Sequence, residues 1–482
     1  MGVPEWLVEF FERIQGDFKF GLLLVVCLAL SLILRRLAVL GYHFNIDGLI
    51  GLSIAIFATR SLAACSIIVV AAHLILFKVV KDPHLLPLIS FYGTFAYLAL
   101  LRVIHFVGLP PLVFIANSIQ LIMTLRVIGL SYEIADTRLQ RLKDKSERDT
   151  LTSQRILVEP STIDAFNYCY SFTGLFTGPY YTYQTYSDAT QLHFRKEFPW
   201  KLVMEKISKL YWSLPALIFF TWLDPVNALR GENINQCSTI SLFIRSALAF
   251  AYFRMRIYTA WMIAESICII AGVGIYPAKS EPTTGSGPKK PQFLTQIDQG
   301  ASVELSAETI NNLDIPHIEH SDGFRSGMRA WNRTVQFWLA NFVYKRTRKS
   351  IRMPYTMLVS AFWHGIHPGY FLSFLTIPLC TTAEDMIFRV FPADIRPKWF
   401  SLVWSVIRMR GFEMMACGFL LLNYADTIRL WSNLYFWLHC TMIATIIFAK
   451  AYLFTFEKYT SKAKPATSHP SAAAEELLKK EL

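Results

Sequence analysis

The chain has 482 residues, of which 53% are hydrophobic, 15% aromatic and only 17% charged, with a net charge of +12 at pH 7. Soluble domains carry roughly 25% charged residues, and here the apolar excess is gathered into long blocks, which excludes an ordinary soluble domain and specifies a polytopic membrane protein. The Lys and Arg residues lie between the apolar blocks instead of on a long basic arm, which fits a positive-inside membrane protein with no nucleic-acid partner.

In chain order, the first nineteen residues carry Glu5, Glu9, Glu12 and Asp17, unlike the basic start of a cleavable signal. The block from Phe20 to Leu34 ends at Arg35-Arg36, which predicts a signal-anchor helix with its C-terminal end in the cytosol. Apolar blocks follow at about 48–59, 62–77, 85–107, 110–131, 203–222, 240–274, 353–379, 400–423 and 430–455. Some are short or interrupted by Gly and Pro. The expected fold is therefore an all-α polytopic membrane protein, with about ten or eleven membrane helices and re-entrant or amphipathic segments around an intramembrane chamber. Polar interruptions stand at 134–160, a mixed-charge loop, and at 277–322, rich in Pro, Gly, Ser and Lys early and acidic later. The division expected is one membrane-embedded domain over 1–456 and a Lys- and Ala-rich, disordered, cytosolic tail over 457–482. None of the eight cysteines forms a C-x-x-C pair and most sit in apolar blocks, the pattern of free buried thiols.

Chemistry is concentrated in a few stretches. In "FWHGIHPGYFLSF" the ionisable His364 and His367 fall inside a hydrophobic run, where burial is costly and a functional role is the default reading. A helix through Met357–His364 is disturbed near Gly365 and Pro368, and non-helical backbone at membrane depth survives only against protein or a water-filled cavity. His364 can thus face a cavity or be a hydrogen-bonded core histidine. The two histidines are three apart, but no carboxylate or Cys with ligand spacing stands beside them to complete a metal site. In "FRSGMRAWNRTVQFWLANFVYKRTRKSIR", Trp331, Val335, Trp338, Leu339, Phe342 and Val343 recur at helical spacing, opposite an edge with Arg325, Arg329, Asn332 or Arg333, and Gln336. That is an amphipathic helix whose polar stripe either binds a ligand or is solvated. The Tyr-, Thr- and Gly-dense "FNYCYSFTGLFTGPYYTYQTY" suits a broken helix lining a passage or an aromatic belt. In "AYFRMRIYTAWMIAES", Arg254, Tyr258, Trp261 and Glu265 share one helical face; Arg254 and Glu265 each pair locally or both line a polar pocket. A transporter using His364, Arg254 and Glu265 as a proton or anion path is the non-enzymatic alternative, although no internal repeat supports it.

These segments together resemble the membrane-bound O-acyltransferase family, through "WHG" at Trp363–Gly365 downstream of the Asn in "WNRTVQFW". The likeness extends over nearly the whole chain and is nearest to the lysophosphatidylinositol acyltransferase branch, through "SFTGLFTGPYYTYQTY", "FRMRIYTAWMIAE", "GMRAWNRTVQFWLANFVYK" and "SAFWHGIHPGYFLSFLTIPLC". The resemblance implies that His364 and Asn332 are the catalytic pair, with Arg254, Tyr258, Glu265, Arg329 and Gln336 as substrate-binding candidates. It implies transfer of a fatty acyl group, polyunsaturated and arachidonoyl-like, from acyl-CoA to the free hydroxyl of a lysophospholipid. Acyl-CoA is then a co-substrate, and no cofactor is needed. Another lysophospholipid, a sterol or a protein is the alternative acceptor. The basic run Lys345, Arg346, Arg348, Lys349 and Arg352 can hold CoA phosphates or serve as a membrane anchor. Lys479-Lys480 matches a di-lysine retrieval signal, which implies a multi-pass protein of the endoplasmic reticulum with a cytosolic tail.

Overall fold

The computed structural model describes residues 5–40, 46–108, 110–142, 158–191, 198–296 and 303–462. The first helix, α1 (Glu5–Val39), is followed by α2 (Asp47–Thr59) and α3 (Ala63–Val79), separated by a single 3-10 turn at which Arg60 takes a φ of 51°. Next come α4 (Leu85–Val103), α5 (Phe114–Leu142), α6 (Thr162–Tyr170), α7 (Tyr183–Gln191), α8 (Trp200–Ile207), α9 (Leu210–Leu223) and α10 (Thr239–Ala271). The C-terminal half holds α11 (Ile315–His320), α12 (Phe324–Arg329), α13 (Arg333–Phe342), α14 (Arg352–His364), α15 (Pro368–Val390), α16 (Lys398–Leu421), α17 (Tyr424–Asn433) and α18 (Trp437–Lys462).

Among the described residues, six segments are long and apolar enough to cross a membrane: Phe10–Val39, Asp47–Val79, Leu85–Phe106, Phe114–Leu142, Pro368–Val390 and Trp437–Thr455. The second of these contains both α2 and α3, two blocks that the sequence reading separates. Helices α10 and α16 are equally long but carry charges, several of which are paired. Arg256 bonds Asp17 at 2.6 and 2.9 Å, Arg410 meets Glu413 at 2.5 Å, and Lys206 meets Glu265 at 2.7 Å. Pairing of this kind is what makes an ionisable residue tolerable at membrane depth. Outward faces are apolar; Phe57 is 87% exposed and Ile75, Trp222 and Ile447 are more than half exposed, a surface that suits lipid.

Two of the polar interruptions are more ordered than their composition predicts. Helix α5 continues through 134–142 because Arg138 reaches across to the carbonyls of Phe77 (3.1 Å) and Val80 (2.8 Å) at the end of α3 and also binds Glu159. Residues 143–157 of that loop lie outside the described residues. In the second interruption, β1 (Tyr276–Pro277) pairs antiparallel with β4 (Leu305–Ser306), Tyr276 opposite Ser306, and β2 (Pro282–Thr283) pairs with β3 (Gly287–Pro288). Gly285, at φ 76°, lies where a Cβ would meet the Phe337 ring at 2.4 Å, so this small ribbon sits directly on α13. At the C-terminus α18 runs on to Lys462, beyond the expected start of the tail, and 463–482 lie outside the described residues.

The Tyr-rich stretch 166–186 is a break in the membrane-depth helices, organised by one side chain that the sequence reading did not single out. Arg126 of α5 is fully buried and donates to the carbonyls of Tyr168 (3.0 Å), Cys169 (2.9 Å), Ser171 (2.8 Å) and Thr173 (2.5 Å) and to the Tyr181 hydroxyl (2.9 Å). Its guanidinium also lies over the Tyr168 and Tyr181 rings. The carbonyls at the end of α6 thus find a cation in place of water. Each buried acceptor left bare costs about 1–3 kcal/mol. Arg126→Met is therefore expected to lower stability by about 3 kcal/mol or more, read as a fall in the thermal unfolding midpoint of the detergent-solubilised protein. Arg126→Lys, with three donors and no planar fork, is expected to recover only part of it; an unchanged midpoint for Arg126→Met contradicts this account.

Candidate active site

Asn332 closes the short connection between α12 and α13. It adopts the left-handed conformation, φ 49° and ψ 48°, which non-glycine residues visit rarely and Asn more readily than most. The backbone on both sides of it is pinned. Asp314 N donates to Ala330 O (3.0 Å), Arg333 N to Asn312 O (3.0 Å), and Gln336 N to Asn332 O (3.0 Å). The Gln336 side chain donates to the carbonyls of Met328 and Trp331. The Asn332 carboxamide, by contrast, makes no hydrogen bond among the described residues, where its buried Oδ1 has no partner. A left-handed backbone beside a buried polar atom with no partner among the described residues makes Asn332 a candidate ligand-binding group.

His364 is the last residue of α14, which is stopped by Gly365. A Cβ at Gly365 would lie 2.8 Å from the Tyr370 ring, so the close turn into α15 requires glycine for space. The imidazole is framed by aromatic rings: Trp363 at 4.6 Å, Phe419 at 5.0 Å, Phe374 at 5.3 Å and stacked, and Tyr370 at 5.8 Å. No hydrogen bond holds either ring nitrogen among the described residues. The backbone is held instead: Arg102 Nη2 donates to His364 O (3.0 Å) and Trp363 O (3.3 Å), and Trp363 Nε1 donates to Leu121 O (3.0 Å). His367 is exposed at the start of α15, with its ring 6.1 Å from Tyr370.

A chain of aromatic contacts runs from Trp331, the residue before Asn332, to His364. Trp331, beside Asn332, stacks on Phe253 at 5.7 Å; Phe253 meets Phe419 at 5.5 Å; Phe419 meets His364. Trp331 also touches Tyr258 and Trp261 at 6.0 Å each. Arg254 forms an ion pair with Glu319, whose other oxygen accepts from the Tyr258 hydroxyl at 2.9 Å. Arg254 and Tyr258 therefore converge on Glu319. Arg329 is exposed and forms no ion pair among the described residues.

The other two candidates are engaged elsewhere. Glu265 is 1% exposed and accepts from Asn312 N at 2.8 Å while pairing with Lys206, so it belongs to the scaffold and not to an open pocket. Gln336 spends its amide on the Met328 and Trp331 carbonyls. The sequence reading missed Lys206 and Asn312, which engage Glu265, Glu319, which holds Arg254 and Tyr258, and Arg102, which holds the end of α14. Arg102 in "LALLRVIHF" carries the one readable signal, an ionisable residue inside an apolar block.

The sequence pattern of the membrane-bound O-acyltransferase family matches residues 74–425, and the chain belongs to that family. Among individual relatives, the membrane-bound acylglycerophosphatidylinositol O-acyltransferases mboa-7 of Caenorhabditis briggsae and Caenorhabditis elegans are each 38% identical over 445 and 447 residues, covering 90% of this chain and 95% of theirs. The human protein of the same description, MBOAT7, is 33% identical over 401 residues, covering 80% of this chain and 84% of its own.

Because Arg102 satisfies the two carbonyls at the end of α14, Arg102→Met is expected to loosen His364 and lower acyl transfer about tenfold or more, with Arg102→Lys intermediate. Initial rates on monodisperse protein check this; a wild-type rate for Arg102→Met rules it out.

Proposed function

We propose that the chain transfers a fatty acyl group from acyl-CoA to the free sn-2 hydroxyl of lysophosphatidylinositol, in phospholipid remodelling at the endoplasmic reticulum membrane. The acceptor is supported by the descriptions of the relatives, which are acylglycerophosphatidylinositol O-acyltransferases. The polyunsaturated, arachidonoyl-like donor is supported by resemblance to that branch, and the compartment by Lys479-Lys480. The observation that carries the site is the left-handed Asn332 with its unpartnered buried amide oxygen.

The chemistry follows from the two side chains. Neutral His364 accepts the proton of the acceptor hydroxyl as its oxygen attacks the thioester carbonyl. The carbonyl oxygen becomes an oxyanion, and the Asn332 carboxamide, with an amide donor and an acceptor uncommitted, stabilises it or orients the hydroxyl. Collapse breaks the C–S bond; the CoA thiolate takes the proton back from the imidazolium, and the ester leaves with no acyl-enzyme formed. Surrounding aromatic rings keep water from competing for the thioester. In this reading Asn332 and His364 face one chamber reached by lipid and thioester. Short or charge-bearing helices, α9, α10, α14 and α16, added to the six long apolar segments, bring the membrane helices to about ten. Arg254, Tyr258 and Arg329 are the head-group candidates.

The decisive assay is acyl transfer by purified protein with arachidonoyl-CoA and a panel of lysolipid head groups. Lysophosphatidylinositol is expected to be the best acceptor, and another lysolipid used at an equal rate refutes the acceptor assignment. His364→Ala is expected to lower kcat ~100-fold or more while leaving membrane insertion and thermal stability unchanged, as loss of a general base does; retained turnover refutes the role.

The basic run divides in the structure. Arg346 pairs with Asp136 at 3.0 Å and lies over Tyr132, and Arg352 lies over Tyr344. Arg348 and Lys349 are exposed and form no ion pair among the described residues. The double variant Arg348→Gln/Lys349→Gln is expected to raise KM for acyl-CoA several-fold with kcat little changed, as loss of a phosphate contact does; an unchanged KM removes these residues from the donor site.

A further inference from the structure

The buried ion pair of Lys206 and Glu265 joins three elements distant in sequence. Lys206 enters from the amphipathic helix α8, Glu265 from the long helix α10, and both close on residues 311–312 of the folded interruption. Glu265 uses one oxygen for Lys206 Nζ (2.7 Å) and the other for Asn312 N (2.8 Å); Lys206 also donates to Asn311 Oδ1 (2.9 Å). From Asn312 the network passes directly to the start of α13. Its Oδ1 accepts from Thr334 N (3.2 Å) and from Thr334 Oγ1 (2.8 Å), and its carbonyl accepts from Arg333 N (3.0 Å). Thr334 Oγ1 in turn accepts from Tyr180 N at 3.1 Å. Glu308 closes the circle through Arg333 (2.5 Å) and Asn311 Nδ2 (3.1 Å). The set ends on Arg333 and Thr334, beside Asn332, and none of its bonds lands on the Asn332 side chain.

A buried ion pair is a poor device for stability alone, since a well-packed apolar pair of the same volume stabilises as well or better. What an apolar pair cannot supply is a directed acceptor for the Asn312 amide. A left-handed non-glycine residue also persists only where its surroundings over-determine it. We propose that Lys206, Glu265, Asn312 and Thr334 form a positioning relay that holds Asn332 in its left-handed, unpartnered state, so that the carboxamide is already aimed when substrates arrive. The proposal rests on Asn332 acting in acyl transfer and adds residues to that reading which touch neither substrate.

The test compares Glu265→Gln, Lys206→Met, Thr334→Val, Thr334→Ser and Asn332→Ala as full-length, monodisperse proteins in detergent, with kcat and both KM values measured per folded molecule and the unfolding midpoint recorded separately. Asn332→Ala is expected to lose ~100-fold or more in kcat. Glu265→Gln, Lys206→Met and Thr334→Val are expected to lower kcat ~10-fold to ~100-fold while KM for lysophosphatidylinositol and arachidonoyl-CoA stays within about twofold, the pattern of a misaimed catalytic group. Thr334→Ser, which keeps the hydroxyl, is expected to restore most of the rate. Should Glu265→Gln or Lys206→Met fail to fold, Thr334→Val decides, because it preserves the ion pair, the side-chain volume and the Thr334 N bond to Asn312, and removes only the two hydroxyl bonds, to Asn312 Oδ1 and from Tyr180 N. A wild-type kcat in Thr334→Val, or a loss confined to KM or to the unfolding midpoint, overturns the relay while leaving the Asn332 assignment standing. A wild-type kcat in Asn332→Ala overturns both.

Discussion

A helix that ends inside a membrane protein leaves carbonyls or amides with no water to satisfy them, and much of this structure depends on how those ends are met. Charged side chains meet them with the polarity that the helix dipole requires. Arginines sit at C-terminal ends: Arg126 at α6, Arg138 at α3, Arg102 at α14, Arg408 on the Ile318 and Glu319 carbonyls of α11, and Arg35 on Ile270 of α10. Carboxylates sit at N-terminal ends: Glu133 accepts from Tyr183 and Gln184 at the start of α7, and Glu384 from Phe324 and Arg325 at the start of α12. Charge in the apolar blocks is thus the means by which the protein can break its helices at depth.

Helix ends offer what a continuous helix does not. A continuous helix keeps its backbone saturated and its side chains on a regular spiral, whereas a helix end frees a residue from that spiral. Asn332 lies at a helix start and His364 at a helix end, each with its backbone held by neighbours while its side-chain polar atoms find no partner among the described residues. The caps make rigid backbone and open chemistry compatible at the same positions.

His364 stands out in the sequence as an ionisable group in an apolar, Gly/Pro-broken run, whereas Asn332 shares the polar edge of an amphipathic helix with Arg333 and is singled out only by motifs that resemble a known family. Arg254 and Tyr258 were legible as a shared helical face, and the structure brings them to one carboxylate, Glu319. Glu265 shares that face by the same rule, but its surroundings are Lys206 and Asn312, from segments about 50 positions away on either side. Helical periodicity says which side chains are neighbours on one helix; it is silent on what packs against them. For the same reason Arg35, which reads as a flanking cation, proves to be buried against α10.

By itself the amino-acid order determined the class of protein, since apolar blocks of this length have no other stable use than membrane helices, and it determined the residue types able to run acyl transfer. Tertiary structure decided which of the polar groups stay unbonded. That selection comes from contacts distant in sequence, the ribbon at 276–310 lying on α13 and the reach of Arg102 to the end of α14, and a hydrogen bond formed across such a distance leaves no periodic trace in the chain.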